Sequence, residues 1–257
     1  MRPLLLSAVL LSPFLFAPLH AQQKTAPAPP LPEPPVAERM HRMEQTLQDW
    51  PNLARYREAN EQLSAPTPGE QRVVFLGDSI TDGWGHPHGQ FFPGKPYINR
   101  GISGQTTPQM LDRFQQDVIR LRPAAVVILA GINDIAGNTG PESLEQIEDN
   151  FRSMATLAQA AHIHVILASV LPASYFPWRP GLHPAEQVRA LNLWLEAYAL
   201  QTGATFLNYY PALATPDGSM RPELATDKAV HPNDAGYALM QPLAEAAIAK
   251  ALAPAQP

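Results

Sequence analysis

Short apolar runs alternating with helix-length segments constrain the fold of this chain more than any other feature. The runs are Arg72–Leu76, Ala125–Ala130, Ile163–Ser169 and Ala204–Tyr209, and a further short strand leads into Asn99. Between and after them lie Thr107–Leu121, Pro141–Ala161, Pro184–Thr202 and Asp234–Leu252, which read as helices. Thr-Pro opens the first helix, and Pro141-Glu142-Ser143 sets proline and acid where a helix N-terminus favours them. Strand, helix and strand in succession require crossover connections, so the sheet is expected to be parallel with helices on both faces. Val36–Trp50 and Leu53–Leu63 read as additional helices packed against the main domain. In an open sheet of this kind ligands bind beyond the carboxyl ends of the strands. Ser79, Gly104 and Asn133 each follow a different expected strand and therefore converge on one crevice.

The run Val73-Val74-Phe75-Leu76 is apolar at every position, as a strand covered on both faces is, and it ends abruptly in Gly77-Asp78-Ser79. A hydroxyl at such a strand-to-helix turn projects from the sheet edge near backbone N–H groups able to stabilise an oxyanion. By itself Gly-Asp-Ser is ordinary turn composition. Three further segments follow in fixed order: Asn99-Arg100-Gly101-Ile102-Ser103-Gly104-Gln105-Thr106, then Gly131-Ile132-Asn133-Asp134, then His231-Pro232 with Asp227 upstream. Together the four blocks resemble those of the SGNH hydrolases, also called the GDSL esterase/lipase family. The resemblance runs from about Arg72 to the closing helix near Leu252. It implies an α/β fold, a flavodoxin-like three-layer αβα sandwich around a mainly parallel five-stranded sheet.

Acyl transfer needs a nucleophile, a base and donors for the oxyanion formed on attack. The resemblance implies Ser79 as nucleophile and His231 as general base, taking the hydroxyl proton and returning it to the leaving alcohol. It also implies an oxyanion hole made by the backbone N–H groups of Ser79 and Gly104 with the side-chain amide of Asn133. Gly104 suits that task because a missing Cβ lets backbone approach a ligand. Gly101 reads as strand-exit flexibility, Asp134 as a loop-closing residue, and Asp78 as a carboxylate bracing its own loop. The third triad member departs from the family's Asp-x-x-His pattern: Lys228 stands three residues before His231, and Asp227 one further back. A lysine cannot accept an imidazole N–H. Either the loop bulges so that Asp227 still reaches the ring, or a backbone carbonyl orients the histidine and the site is a dyad. Asp234 reads as the N-cap of the closing helix.

Two His-x-His pairs, His86-Pro87-His88 and His162-Ile163-His164, have a spacing that can serve a metal. The second opens a strand and neither lies near an acidic cluster, so no metal and no cofactor is expected. His86 and His88 fit the mouth of a pocket instead. The loop Pro172–His183, with Tyr175, Phe176 and Trp178, fits equally an apolar or sugar-stacking wall and ordinary loop packing.

Residues 1–21, with Arg2, the apolar stretch Leu4–Phe16 and Leu19-His20-Ala21, read as an export signal that is too short and proline-interrupted to span a bilayer. Residues 22–36 form a Pro/Ala-rich linker, and 37–257 the hydrolase domain with its N-terminal helical extension. A periplasmic or secreted location, with no stable membrane insertion after signal removal, follows. The chain has no cysteine, so its stability rests on the core that 45% apolar content supplies. Formal charge is −5, and −6 once Arg2 is gone, which argues against a nucleic-acid partner. The expected activity is a serine esterase acting through an acyl-enzyme on short-chain, chiefly acetyl, esters of small molecules or carbohydrates. An arylesterase or lysophospholipase of the same fold, a carbohydrate-binding domain with an impaired triad, and a metal-dependent hydrolase are the competing readings.

Overall fold

The computed structural model describes residues 35–254. The signal segment and all but the end of the linker therefore lie outside the described residues. The chain divides into two compact units, 1–41 and 42–257, and of the first the described part is the opening of helix α1 (Val36–Gln48). The second unit carries, in order, α2 (Arg57–Gln62), β1 (Val73–Gly77), α3 (Ser79–Asp82), β2 (Tyr97–Gly101), α4 (Thr107–Asp117), β3 (Ala125–Leu129) and α5 (Ile132–Ile135). There follow α6 (Leu144–Ala160), β4 (His164–Ala168), α7 (Ala185–Thr202), β5 (Thr205–Leu207), α8 (Tyr210–Leu213) and α9 (Asp234–Ala251).

The five strands form one all-parallel sheet in the order β2-β1-β3-β4-β5. Every residue of β1 and β3 is buried, which is why their sequences lack polar alternation. Helices α4, α6 and α7 pack side by side along one face. On α6 the buried positions Ile147, Phe151, Met154, Ala155 and Ala158 make a single apolar stripe. The opposite face carries an aromatic cluster in which Phe75 meets Trp84, Phe91, Phe92 and Tyr97, and Trp84 lies 5.1 Å from Tyr237 of α9. The expected flavodoxin-like three-layer fold is thus present. Gly77 stands opposite Gly101 on one side and Leu129 on the other, so the exits of β1, β2 and β3 lie side by side.

Several boundaries differ from the sequence expectation, each through a local hydrogen bond. Ser143, not Pro141, starts α6, because its hydroxyl accepts from the Gln146 N–H while the Gln146 side chain accepts from the Ser143 N–H. The helix expected over Leu53–Leu63 shortens to α2. The Asp49 carboxylate accepts from the N–H groups of Leu53 (2.7 Å) and Ala54 (2.9 Å), turning the chain before α2 can begin. Asn233, not Asp234, caps α9, its side-chain oxygen accepting from Ala235 and Gly236. Gly101 is required by space, not by flexibility: a Cβ there would sit 2.1 Å from the backbone nitrogen of Asp82.

Candidate active site

The exit of β1 and the loop after β2 are bound together by one fully buried cation. Arg113 on α4 donates to the Gly77 carbonyl at the end of β1 (3.0 Å), to the Gln105 side chain (2.6 Å) and to Asp117 (3.1 Å). Every strong interaction of that guanidinium is made inside the protein, so it fixes the serine turn relative to the loop after β2. Asn99 ties the same two segments, donating to the carbonyls of Thr81 and Trp84 and accepting from the Gly101 N–H.

On this frame Ser79 opens α3, half-buried, with its Oγ 2.9 Å from Nε2 of His231. Nδ1 of His231 is 2.6 Å from Oδ2 of Asp227. The other oxygen, Oδ1, accepts from the backbone N–H groups of Ala229 (2.9 Å), Val230 (2.9 Å) and His231 (3.1 Å). Lys228 adopts a left-handed backbone with φ of 59°, and its side chain is exposed. The extra residue relative to the family spacing is absorbed there, and the loop is pinched at its neck where the Thr226 N–H donates to the His231 carbonyl (2.9 Å). Of the two arrangements open from sequence, the bulge is the one present. Burial alone would raise the Asp227 carboxyl, but hydrogen bonds from the His231 ring and the three N–H groups outweigh it and hold the group well below the usual carboxylate range. The Asp227 hydrogen bond raises His231 above the ordinary imidazole value; burial opposes this, and the Asp227 and Asp78 charges reinforce it.

Gly104 has φ of 81° and open space where a Cβ would be. Among the described residues neither its N–H nor that of Ser79 has an acceptor. Buried Asn133 is held at both ends: its Nδ2 donates to the Gln105 carbonyl (3.0 Å) and its Oδ1 accepts from Asn138 (2.8 Å). An amide nitrogen has two hydrogens, so one N–H of Asn133 is left for a ligand. Asp134 has the structural part expected of it, accepting from the backbone and hydroxyl of Thr107, and burial pushes it up to about 7. Asp78 caps α3 through the Ile80 N–H and is pushed up to about 6 by complete burial.

A cavity of about 720 Å³ opens over Ser79 and His231, and His86 and His88 line it as the sequence suggested. The pair His162 and His164 borders a separate hollow at the start of β4, so it does not belong to this site. In the Pro172–His183 loop the two readings divide between neighbours. Phe176 is core, whereas half-exposed Trp178 sits 5.9 Å from the His231 ring and donates its indole N–H to Asn138 (3.1 Å).

With nucleophile-type serine, histidine, carboxylate and oxyanion-type donors gathered at one sheet edge, the arrangement has the parts of a serine hydrolase. A family model described as GDSL-like lipase/acylhydrolase matches residues 75–239, a stretch that includes Ser79, Gly104, Asn133, Asp227 and His231. The chain belongs to this family. It is by class a carboxylic ester hydrolase of the GDSL/SGNH type. A GDSL-like lipase from Bacteroides thetaiotaomicron superposes with a TM-score of 0.76 at 46% identity, covering 79% of this chain and all of that one. An acetylxylan esterase from Geobacillus stearothermophilus is 33% identical over 88 residues, 25% of this chain and 40% of that protein. A solved variant of an acetylxylan esterase from the same organism superposes at 22% identity over 73% of this chain and 96% of its own, with a TM-score of 0.56, and speaks to the fold alone. Among the described residues no helix is long and apolar enough to cross a membrane.

Sequence reasoning missed four contributors. Arg55, which lines the cavity and lies 3.5 Å from Asp82, sits upstream of every motif. Asp82 in turn accepts from the Ser103 hydroxyl (2.6 Å), closing the serine turn onto the glycine loop. Asn138 stands five residues after Asn133, a spacing that no helical or strand period singles out. Buried Arg113 carries no local signal beyond its i,i+4 partner Asp117.

Proposed function

We propose that this chain is an exported serine esterase that removes short acyl groups, chiefly acetyl, from hydroxyl-rich molecules such as carbohydrates. The observation that carries the reading is the continuous hydrogen-bonded line from Asp227 through His231 to Ser79. His231 Nε2 takes the Ser79 proton as Oγ bonds to the ester carbonyl carbon. The resulting oxyanion meets the N–H groups of Ser79 and Gly104 and the Asn133 amide. His231 then protonates the departing alcohol, leaving acyl-Ser79, and a water activated by the same imidazole releases the acid and restores the hydroxyl. Asp227 holds the imidazolium that forms in each half. Preference for a small acyl group and a polar alcohol is supported by the largely polar residues around Ser79 and by the acetylxylan esterase relative. Residues 1–21 would direct the chain across a membrane to act on such material outside the cytoplasm.

The test is a panel of p-nitrophenyl esters of rising acyl length, together with acetylated sugars and polysaccharides, scored for acid release by the purified protein. Acetate release from the sugars and falling kcat/KM beyond four carbons are expected. No turnover of any ester would leave the carbohydrate-binding reading, and a preference for long chains would favour the lysophospholipase one. A finer check concerns the oxyanion. Asn133→Ala should lower kcat on the order of 10²-fold or more with little change in KM, because its N–H bond strengthens only as negative charge develops. A change confined to KM would remove Asn133 from that role.

A further inference from the structure

A second cleft, of about 650 Å³, lies on the other side of the glycine loop, lined among others by Trp50, Ser103, Gly104, Gln105, Asn138 and Thr139. Ser103 also lines the cavity over Ser79, so the two spaces meet at the loop that presents the Gly104 N–H. Either volume is in the range of a built ligand site and far exceeds what an acetyl group fills. The cavity over Ser79 is where the ester reacts, and beyond the shared glycine loop the second cleft supplies no group to the acyl transfer.

The chemistry of this cleft is specific. Its walls are amides and hydroxyls with one large aromatic residue, Trp50, 37% exposed. Among the described residues that line it, the one ionised side chain is Asp49, whose carboxylate is occupied by the Leu53 and Ala54 N–H groups. With no cation among those described lining residues it is unsuited to an anionic ligand, and with Ile102 the only aliphatic one among them it is unsuited to an acyl chain. A neutral ring with C–H faces and several hydroxyls matches it, since an indole covers such a face while fixed polar groups bond the edge.

The wall is also held rigidly. Three glutamine amides pin the segment that carries Trp50: Gln109 donates to the Trp50 carbonyl (2.7 Å), Gln105 to that of Pro51 (2.7 Å) and Gln116 to that of Leu53 (2.8 Å). Gln105 is the residue whose own carbonyl accepts from Asn133. The Trp50 segment is therefore registered directly against the oxyanion donors. It precedes residue 75, where the family match begins, so the ester chemistry common to the family does not depend on it.

We infer that this cleft is a glycan subsite, in which a pyranose unit of the substrate's carbohydrate portion stacks on Trp50 while the ester reaches Ser79. The inference rests on the esterase reading above and adds to it where the alcohol is recognised. The test compares Trp50→Ala and Trp50→Phe with the parent on an acetylated xylo-oligosaccharide and on p-nitrophenyl acetate. Trp50→Ala should raise KM for the oligosaccharide about tenfold with kcat unchanged, a loss of the size expected for one aromatic contact. It should leave p-nitrophenyl acetate within twofold, and Trp50→Phe should recover most of the affinity. Equal losses on both substrates, or unchanged KM on the glycan, would overturn the subsite. A second measurement uses the unaltered protein and stands even if Trp50→Ala does not fold. An unacetylated xylo-oligosaccharide should compete with its acetylated counterpart, and absence of competition at tens of millimolar would equally overturn it. Should p-nitrophenyl acetate itself go unhydrolysed by the parent, the esterase reading fails and not merely the subsite.

Discussion

Ser79→Ala is expected to lower kcat for p-nitrophenyl acetate on the order of 10⁶-fold while the protein stays folded. The hydroxyl makes a hydrogen bond to His231 and, in a half-buried position, little else, so its removal leaves the frame of Arg113, Asn99 and the aromatic cluster untouched. The size of the loss follows from the acyl-enzyme route: without Oγ no covalent intermediate forms, and what remains is oxyanion stabilisation of a direct attack by water. The same reasoning makes the effect non-additive. His231→Ala should cost about as much, and the double variant no more than either single one, because each removal disables the same proton-coupled attack. A serine-directed organophosphonate should label one site in the parent and none in Ser79→Ala. Labelling at another serine, or near-normal turnover by Ser79→Ala, would show that a different group attacks the ester. Additive losses in the double variant would show that Ser79 and His231 act in separate steps.

How much of this site could be read beforehand depended on whether a residue's partner lay nearby in sequence. Ser79, Gly104, Asn133 and His231 follow strands or precede a helix, and the topology rule for open parallel sheets gathers such positions without knowledge of any contact. β1 and β3 were legible because burial on both faces leaves an uninterrupted apolar run. The boundary at Ser143 was missed by two residues because proline at 141 and the capping serine both signal a helix start, and only the Gln146 reciprocal bond decides between them. Arg55, Asn138 and Arg113 stayed hidden for a different reason. Each acts on a partner brought close by the fold: Arg113 reaches the Gly77 carbonyl across 36 positions, Asn138 the Gly104 carbonyl across 34, and Arg55 approaches Asp82 from well upstream. Local pattern carries no trace of such pairs. Asp227 fell between the two cases, since its neighbourhood was plain but the sign of the outcome hung on the backbone of Lys228.

That backbone sets up the second large effect. Asp227→Asn should reduce kcat by up to about 10⁴-fold, the scale of a lost orienting carboxylate in a triad of this kind. The three backbone N–H groups around Oδ1 determine how the new amide must sit. They require an acceptor, so the amide oxygen takes that side and the NH₂ turns toward Nδ1 of His231. A donor then faces the ring nitrogen that previously donated. To avoid the clash of hydrogens, the imidazole shifts its proton to Nε2, where it can no longer accept from Ser79. Two readouts separate this from mere loosening of the loop. In the parent, His231 is raised by the Asp227 hydrogen bond, so the neutral base accumulates only above the ordinary imidazole value and the acid limb of kcat/KM lies on that side. Removing the carboxylate removes that support, so the residual activity of Asp227→Asn should rise at lower pH than the parent's even as its plateau falls. Lys228→Gly supplies the control. Glycine accepts a φ of 59° without strain and the lysine side chain is exposed, so this variant should stay within a few-fold of the parent with an unmoved acid limb. A folded Asp227→Asn protein that keeps most of its activity and its pH profile would reduce the machinery to Ser79 and His231, with Asp227 serving only to hold the bulge.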